Sequence, residues 1–430
     1  MNTVSTSEEM PDKRGSILLM LRKLLSQLSI VLGFNLTSYA LRFSVTVVIA
    51  RELGPAFYGN LAFIMSLSAL LFLPMAMGQH SVMYKYLSTA EPDQRNERMW
   101  TVFAGNMLFV LLIGSALFAC SEWIESWLGI DEAVWSIAIL LAVGNNFQAI
   151  SESFLRGQSR FLSIGVARLV STIFMVITMI VVLLQSQPNV FWVAVVFSFG
   201  TFTFSLMALL RAGLRRPEFN RSFYGLSLKY GGSMMLGQIL VAVLFEGDIL
   251  LLKGFLTESD LGLYAAHLGL LKQIFFIFFV EIFCVVLLPA LAKANRSSIW
   301  AAGKAYLPIA ILSLYSLSFI ALTLLLRLFG HGFSSSWLYT VLGSAAITLF
   351  TFFQLANHLL TMDGGRAARI GSIAVACCLP FFIVGLPLGA AQYGLTGALA
   401  SITLVYGAML MVTLFALKIY YSDRFIGEAS

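Results

Sequence analysis

The chain has 430 residues, of which 59% are hydrophobic and only 11% are charged, whereas a soluble domain carries roughly 25% charged residues. This composition excludes a soluble globular protein. The net charge of +6 does not predict nucleic acid as a partner, because basic residues along the cytoplasmic boundary of a membrane explain it.

A polar segment, residues 1–23, is predicted to be a cytoplasmic tail that precedes the first membrane span and carries no cleaved signal peptide. About twelve apolar stretches follow, each long enough for a helix that crosses ~30 Å of hydrocarbon. They cover residues 24–50, 60–84, 101–120, 133–154, 163–185, 190–210, 230–256, 262–292, 305–328, 337–361, 367–391 and 394–418. The sequence therefore predicts an all-α integral membrane protein, in which residues 419–430 form a second cytoplasmic tail.

The basic residues predict the orientation of these spans. With both tails in the cytoplasm, about 22 of the 27 lysines and arginines fall in cytoplasmic segments, in agreement with the positive-inside rule. This count assigns Arg156, Arg160 and Arg168 to one cytoplasmic loop. The outer segments hold Arg51, Lys253 and Arg327, which leaves Arg42 and Lys272 within the membrane. The loops are short, so no extramembrane catalytic domain is expected.

Two weak internal similarities indicate a repeat. Residues 53–62, LGPAFYGNLA, align with residues 256–265, LTESDLGLYA, which pairs Gly59 with Gly262. A second alignment pairs Gly165 with Gly371 at nearly the same offset. Both pairs precede corresponding spans, so the repeat is parallel and predicts two six-helix lobes around a central cavity. The boundaries are an N-lobe at 24–210, a cytoplasmic linker at 211–229 and a C-lobe at 230–418.

Charged residues inside spans are costly and usually face a cavity or a partner. The candidates are Arg42, Glu246, Asp248, Lys272 and Glu281. Glu246 and Asp248 point in different directions on a helix, and we expect Asp248 to face the cavity. Two interpretations stay open for these charges, namely contact with substrate or ion, and a structural ion pair of Lys272 with Asp248 or Glu246.

Polar residues recur at helical spacing on three spans, which predicts polar helix faces. They are Asn35 and Ser38 beside Arg42, then Asn145, Gln148 and Glu152, and later Gln354, Asn357 and His358. Such faces line a cavity or form hydrogen bonds between helices without any ligand. No residue pattern predicts a metal or another cofactor.

The segments ARELGPAFYGNLAFIMSLSALL from Ala50, SFLRGQSRFLSIGVARLVSTI from Ser153 and GDILLLKGFLTESDLGLYAAHLGLL from Gly247 carry a family resemblance. With the twelve spans, the chain resembles polysaccharide-unit flippases of the multidrug, oligosaccharidyl-lipid and polysaccharide exporter superfamily. The resemblance implies movement of a polyprenyl-pyrophosphate-linked oligosaccharide to the outer leaflet of a bacterial cytoplasmic (inner) membrane. It further implies assembly of an O-antigen or exopolysaccharide, with a polysaccharide polymerase or other assembly proteins as partners.

The resemblance also suggests roles for two residues. Asp248 matches an acidic position in the family's seventh span and is assigned to coupling with H⁺ or Na⁺, whereas Arg42 is our candidate for attracting the anionic head group. The alternatives are a multidrug antiporter of the same superfamily and a polytopic polysaccharide polymerase or ligase. Short outer loops argue against the enzymes, and the buried cations Arg42 and Lys272 argue against a cationic drug.

Overall fold

The computed structural model describes residues 13–185, 188–215, 217–277, 296–333, 336–362 and 365–427. Their regular secondary structure is helical, as the apolar composition predicts. The helices are α1 Lys13–Ala76, α2 Gln79–Ser88, α3 Pro92–Ala119, α4 Ser121–Leu128, α5 Glu132–Gly157, α6 Phe161–Leu183, α7 Val190–Ala212, α8 Arg221–Leu252, α9 Glu258–Tyr264, α10 Leu270–Ile277, α11 Arg296–Phe329, α12 Trp337–Met362, α13 Gly365–Pro380 and α14 Leu386–Gly427. The π-helical turns Ala265–Gly269 and Phe381–Gly385 and the 3₁₀ turn His331–Phe333 lie between them.

Eight helical stretches in the described part of the chain are long and apolar enough to cross a membrane. They are Gly33–Ala76, Pro92–Ala119, Glu132–Gly157, Phe161–Leu183, Val190–Ala212, Tyr306–Phe329, Trp337–Leu360 and Arg369–Tyr420. The first contains 44 residues and the last 52, more than twice the ~20 that one crossing needs. These two stretches therefore have room for two crossings each.

Helix α1 reverses its direction at Gly54, whose φ of 79° lies in the left-handed region that favours glycine. Tyr39 lies before this break and Tyr84 lies well after it, in α2. Their rings contact Arg168 and Arg156, and these two guanidinium groups bind the same carboxylate. A straight helix would separate the two tyrosines by roughly 68 Å at ~1.5 Å per residue. The chain therefore turns back at Gly54, as the predicted first and second spans require.

A second reversal divides α14 at Gly394, with φ 57°. A Cβ atom placed on Gly389 would lie 2.8 Å from the carbonyl oxygen of Gly397 and 3.2 Å from Cβ of Ser401. In a straight helix, Gly389 and Ser401 would lie ~18 Å apart. The segments on either side of Gly394 therefore pack against each other as two antiparallel arms, joined without a loop.

The predicted seventh and eighth spans correspond to α8 and to the helix that begins with α9. Helix α8 begins at Arg221, so the predicted linker is shorter than 211–229 and its last nine positions are helical. The eighth span begins at Glu258 rather than at residue 262, and it continues through the π-helical turn into α10.

The two glycines that the internal repeat aligns meet where the lobes contact each other. A Cβ atom on Gly59 would lie 2.7 Å from the amide nitrogen of Gly262, and one on Gly262 would lie 3.1 Å from the amide nitrogen of Gly59. Only glycine permits such an approach of two backbones. Gly78 and Gly231 make a second close backbone contact between the lobes, near the start of α8.

Candidate functional site

A cluster of charged side chains lies inside the N-lobe, where α5 ends and α6 begins. Both carboxylate oxygens of Glu152 accept hydrogen bonds from Nη2 of Arg168 at 2.9 Å. Nε and Nη2 of Arg156 donate to Oε1 of the same carboxylate at 2.8 and 2.6 Å. Glu152 and Arg168 are only 8% and 7% exposed. Ion pairing therefore replaces hydration here, as buried charges require.

Helix α1 contributes two polar groups to this cluster. Nη1 of Arg168 donates to the amide oxygen of Asn35 at 2.9 Å and to the hydroxyl of Tyr39 at 3.3 Å. Asn35 is 5% exposed, so this amide lies in the packed interior and not in open solvent. The cluster thus connects α1, α5 and α6 through one guanidinium group.

Arg42 follows Tyr39 by one helical turn and extends the same polar face of α1. Its side chain lies within electrostatic range of Arg168 and Glu152. Its Nε is buried and has no hydrogen-bond partner within the part of the chain that the structure describes. Arg42, Arg156 and Arg168 together carry three positive charges around the single carboxylate of Glu152. This excess of positive charge favours an anion as ligand.

A second charged group lies in the C-lobe, between α8 and α10. Nζ of Lys272 lies 3.1 Å from Oδ2 of Asp248, and the two residues are only 3% and 1% exposed. The hydroxyl of Tyr264 donates to Oδ2 of Asp248 at 3.0 Å, and Nζ of Lys272 also donates to the carbonyl oxygen of Phe245. The hydroxyl of Tyr406 lies 3.5 Å from Nζ. This group is a buried ion pair of zero net charge.

A cavity of about 80 Å³ lies between the lobes, and Glu246 lines it. Oε2 of Glu246, in the C-lobe, accepts a hydrogen bond from the hydroxyl of Ser66 in the N-lobe at 3.0 Å. Lys272 also lines this cavity, whereas Asp248 does not. The two acids therefore have different surroundings, as their helical spacing predicts, but the one at the cavity is Glu246 and not the expected Asp248.

Of the other predicted site residues on α1 and α12, two form hydrogen bonds within their own helices. The hydroxyl of Ser38 donates to the carbonyl oxygen of Phe34 at 2.8 Å. Nδ1 of His358 lies 2.8 Å from the carbonyl oxygen of Gln354. Gln354 is 3% exposed, and its Nε2 has no partner among the described residues. Asn357 faces α13, where a Cβ atom on Gly371 would lie 3.0 Å from its Oδ1. Glu281 lies outside the described residues.

On α5, the structure pairs a different asparagine from the one predicted. Nδ2 of Asn146 donates to Oδ1 of Asn106 at 2.7 Å, and Nδ2 of Asn106 donates to the carbonyl oxygen of Met75 at 3.1 Å. Both asparagines are completely buried. The predicted Asn145 and Gln148 are partly exposed, and only Glu152 of that predicted face joins the charged cluster.

Three site residues escaped prediction from the sequence. Arg168 was assigned to a cytoplasmic loop, but it lies two turns inside α6 and pairs with Glu152. The sequence did offer one signal, because Arg168 follows Glu152 by 16 residues, and the turn between α5 and α6 lies between them. Tyr264 and Tyr406 complete the C-lobe group, and nothing in the sequence distinguishes them from other tyrosines in apolar spans.

The described residues offer no metal site, since no three His, Cys, Asp or Glu side chains among them are placed to hold an ion. Cys120, Cys377 and Cys378 are free thiols. The polar groups in the membrane are instead guanidinium, ammonium, carboxylate and amide groups. Groups of this kind can bind a ligand through charge and hydrogen bonding.

Solved structures with the same fold are transporters. The fold is similar to an inward-facing multidrug resistance MATE family transporter of the MOP superfamily, with a TM-score of 0.67 at 13% identity over 92% of this chain and 98% of that chain. It is also similar to the lipid II flippase MurJ in an inward closed conformation, with a TM-score of 0.64 at 14% identity over 90% of this chain and 87% of that chain. An outward-facing MATE family transporter is similar with a TM-score of 0.57 at 14% identity, over 92% of this chain and 95% of that chain.

No curated protein matches the sequence significantly. A protein family does match, over residues 24–295, which is more than half of the chain. With the fold, this match makes the protein a multi-pass integral membrane protein linked to polysaccharide biosynthesis. The chain belongs to the Polysaccharide biosynthesis protein family.

Proposed function

We propose that this protein is a flippase for polyprenyl-pyrophosphate-linked oligosaccharides. It takes each lipid-linked unit from the cytoplasmic leaflet of a bacterial inner membrane to the outer leaflet, where surface polysaccharide is assembled. Family membership supports the link to polysaccharide, and the likeness to a lipid flippase supports the mode of transport. Alternating access of two lobes is the proposed mechanism.

The observation that carries this proposal is the cation excess around Glu152. A diphosphate cannot enter hydrocarbon unaided, and guanidinium groups bind phosphate oxygens with strong, geometrically matched hydrogen bonds. Arg156 and Arg168 are already engaged with Glu152, whereas Nε of Arg42 is buried and unpartnered among the described residues. Arg42 is therefore the cation available to a diphosphate head group, while the polyprenyl chain remains in the bilayer.

Coupling to an H⁺ or Na⁺ gradient is the second part of the proposal, and two acids are candidates. Asp248 is neutralised by Lys272, so protonation of its carboxylate would have to break this pair. Glu246 bonds only to Ser66 among the described residues and lies at the cavity between the lobes. Since a coupling site must respond to the relative position of the lobes, Glu246 joins Asp248 as a candidate.

A multidrug antiporter of the same superfamily is the competing function, because a MATE transporter shares the fold. A cationic drug would be favoured by an excess of acid in the membrane. The N-lobe cluster instead has an excess of arginine, whereas in the C-lobe Lys272 pairs with Asp248 and a second acid, Glu246, lines the cavity. The N-lobe cluster therefore favours an anionic substrate.

The test is leaflet translocation in proteoliposomes of a lipid-pyrophosphate-linked oligosaccharide, with and without a proton or sodium gradient. We expect gradient-dependent translocation by the wild type and its loss in Asp248→Asn or Glu246→Gln, with size-exclusion profiles confirming that each variant folds. Absence of translocation for several glycans by a well-folded wild type, together with efflux of lipophilic cations, would instead assign the protein to the drug antiporters.

A further inference from the structure

A second and larger cavity, of about 620 Å³, opens between the lobes on the face that the sequence predicts to be external. The N-lobe wall is the reversal of α1 around Gly54. The C-lobe wall is the end of α11 and the 3₁₀ turn that follows it. The polar side chains on these walls are Arg51, Thr323, Arg327, His331 and Thr340. Its volume lies within the range of ligand pockets, about 300–1,000 Å³.

Two of the three basic residues in the predicted outer segments meet in this cavity, one from each lobe. Neither Arg51 nor Arg327 forms an ion pair or a hydrogen bond within the part of the chain that the structure describes. The third outer cation behaves differently, since Nζ of Lys253 lies 2.9 Å from Oδ1 of Asn60 and 3.3 Å from Oε1 of Glu258. Of these three outer cations, the two that have no protein partner among the described residues are therefore the two in the cavity.

Phe329 and Phe333 give the cavity an apolar floor beside these arginines, and Tyr58 packs against both rings. Tyr58, Phe329 and Phe333 pack edge to face, with ring centroids 5.1–5.9 Å apart. The stem of Arg51 packs across the lobe boundary, where a Cβ atom on Gly330 would lie 3.6 Å from its Cγ. No Asp or Glu is among the residues that line the cavity. Because no carboxylate in the lining neutralises the two guanidinium groups, their positive charge is available to bind an external anion.

We propose that this cavity is a binding site for a diphosphate group, held between Arg51 of the N-lobe and Arg327 of the C-lobe. The identity of the natural ligand rests on the proposed function, because a diphosphate on this face belongs to the lipid-linked unit after its translocation. Binding itself is independent of transport. A diphosphate carries at least two negative charges and can neutralise two guanidinium groups at once, whereas a phospholipid head group with a single net negative charge neutralises only one of them.

Occupation of the site also favours one conformation. Its two arginines belong to different lobes, so an anion can bind both only while the outer ends of the lobes lie together. A ligand shifts an equilibrium by the difference in its affinity for the two states. A bound diphosphate therefore favours the state in which Gly59 contacts Gly262, and high concentrations of it on the outer side would slow the return of the lobes to an outward-open state.

The experiment titrates inorganic pyrophosphate into the full-length protein in phosphatidylcholine nanodiscs and measures binding by calorimetry. We expect saturable binding that weakens at least tenfold in Arg51→Ala and in Arg327→Ala and is lost in the double variant. Lys253→Ala, which removes an outer charge outside the cavity, should bind within twofold of the wild type. A double Arg→Lys variant, which keeps both charges, should recover part of the affinity and controls for folding.

Two results would overturn the proposal. If the wild type shows no saturable binding of pyrophosphate, the site does not exist. If Lys253→Ala and Arg327→Ala weaken pyrophosphate binding equally, the binding is due to general surface charge and not to this cavity. In nanodiscs that contain phosphatidylglycerol, the wild-type affinity should stay within twofold. A loss of pyrophosphate affinity as large as that in the double variant would show that phospholipid head groups occupy the site, and would contradict its assignment to a diphosphate. This titration measures binding and not translocation. Failure of this site can therefore be distinguished from failure of the flippase function, which the translocation assay tests separately.

Discussion

Gly59 and Gly262 occupy equivalent positions in the two halves of the sequence, and their backbones contact each other at the boundary between the lobes. The contact joins the starts of the second and eighth spans, the segments that the predicted repeat aligns. The outer cavity with Arg51 and Arg327 is adjacent, so opening of this boundary would change both features together.

Substitution of Gly59 tests the importance of this contact. In Gly59→Ala, the new methyl group would lie 2.7 Å from the amide nitrogen of Gly262, so the lobes must separate. Overpacking of this kind costs about 1–3 kcal/mol, and each ~1.4 kcal/mol changes an equilibrium tenfold. We expect a lower temperature of half-unfolding and at least tenfold slower transport. Gly114→Ala, where nothing lies within 4 Å of the new methyl group, is the matched control. Equal effects of the two substitutions would contradict the role of the contact.

The Asp248 and Lys272 pair gives a prediction about stability. Lys272→Met leaves a buried carboxylate without its cation and should cost about 3–5 kcal/mol in the free energy of unfolding. The double variant Asp248→Asn/Lys272→Met leaves no charge behind and should be more stable than Lys272→Met alone. Thermal unfolding in one detergent measures this double-mutant cycle. A double variant less stable than Lys272→Met would show that the two side chains do not act as a pair.

Arg168 and Arg156 bind the same carboxylate but should contribute very differently to stability. The Arg168 side chain is 8% exposed, whereas that of Arg156 is 41% exposed. Arg168→Ala removes the buried partner of Glu152 and of Asn35, at a cost of about 3–5 kcal/mol. Arg156→Ala removes a partly solvated pair, whose contribution is about 0–1 kcal/mol. Denaturation of the two variants under identical conditions provides the comparison, and equal losses would refute this assignment.

The adjacent residues Asn145 and Asn146 form a natural matched pair for mutagenesis. Asn146→Ala removes both hydrogen bonds of the buried amide pair with Asn106, whereas Asn145→Ala removes a partly exposed side chain. Hydrogen bonds between membrane helices average about 0.6 kcal/mol and reach about 1.7 kcal/mol. We expect Asn146→Ala to cost about 1–2 kcal/mol more than Asn145→Ala. A reversed order would mean that the paired amides are not stabilising.

The sequence predicts much of this fold because hydrophobic length and helical period are local properties. The all-helical architecture and most of the apolar spans are examples. The reversals at Gly54 and Gly394 fall at boundaries between predicted spans, 24–50 and 60–84 in one case and 367–391 and 394–418 in the other. The sequence does not predict how abrupt they are, since the helix on each side continues to within one residue of the break.

The candidate site is less predictable, because partners are determined by packing between distant segments. Glu152 and Arg42 stand out as charges within spans, but Arg168 lies near a predicted boundary, where the positive-inside rule also explains a basic residue. Asp248 and Glu246 differ by two positions, and only the packing of α8 decides which one lines the cavity. The tyrosines around Asp248 are ordinary residues of apolar spans, and their hydroxyl groups reach it only in the folded protein.

The decisive experiment is translocation of a lipid-pyrophosphate-linked oligosaccharide by Arg42→Ala, measured in proteoliposomes beside Arg42→Lys and the wild type. We expect Arg42→Ala to fold, since Nε of Arg42 has no partner among the described residues, and its transport to fall at least tenfold. Arg42→Lys, which retains the charge, should recover part of the rate. Wild-type translocation by a well-folded Arg42→Ala protein would contradict the proposal that this arginine receives the diphosphate.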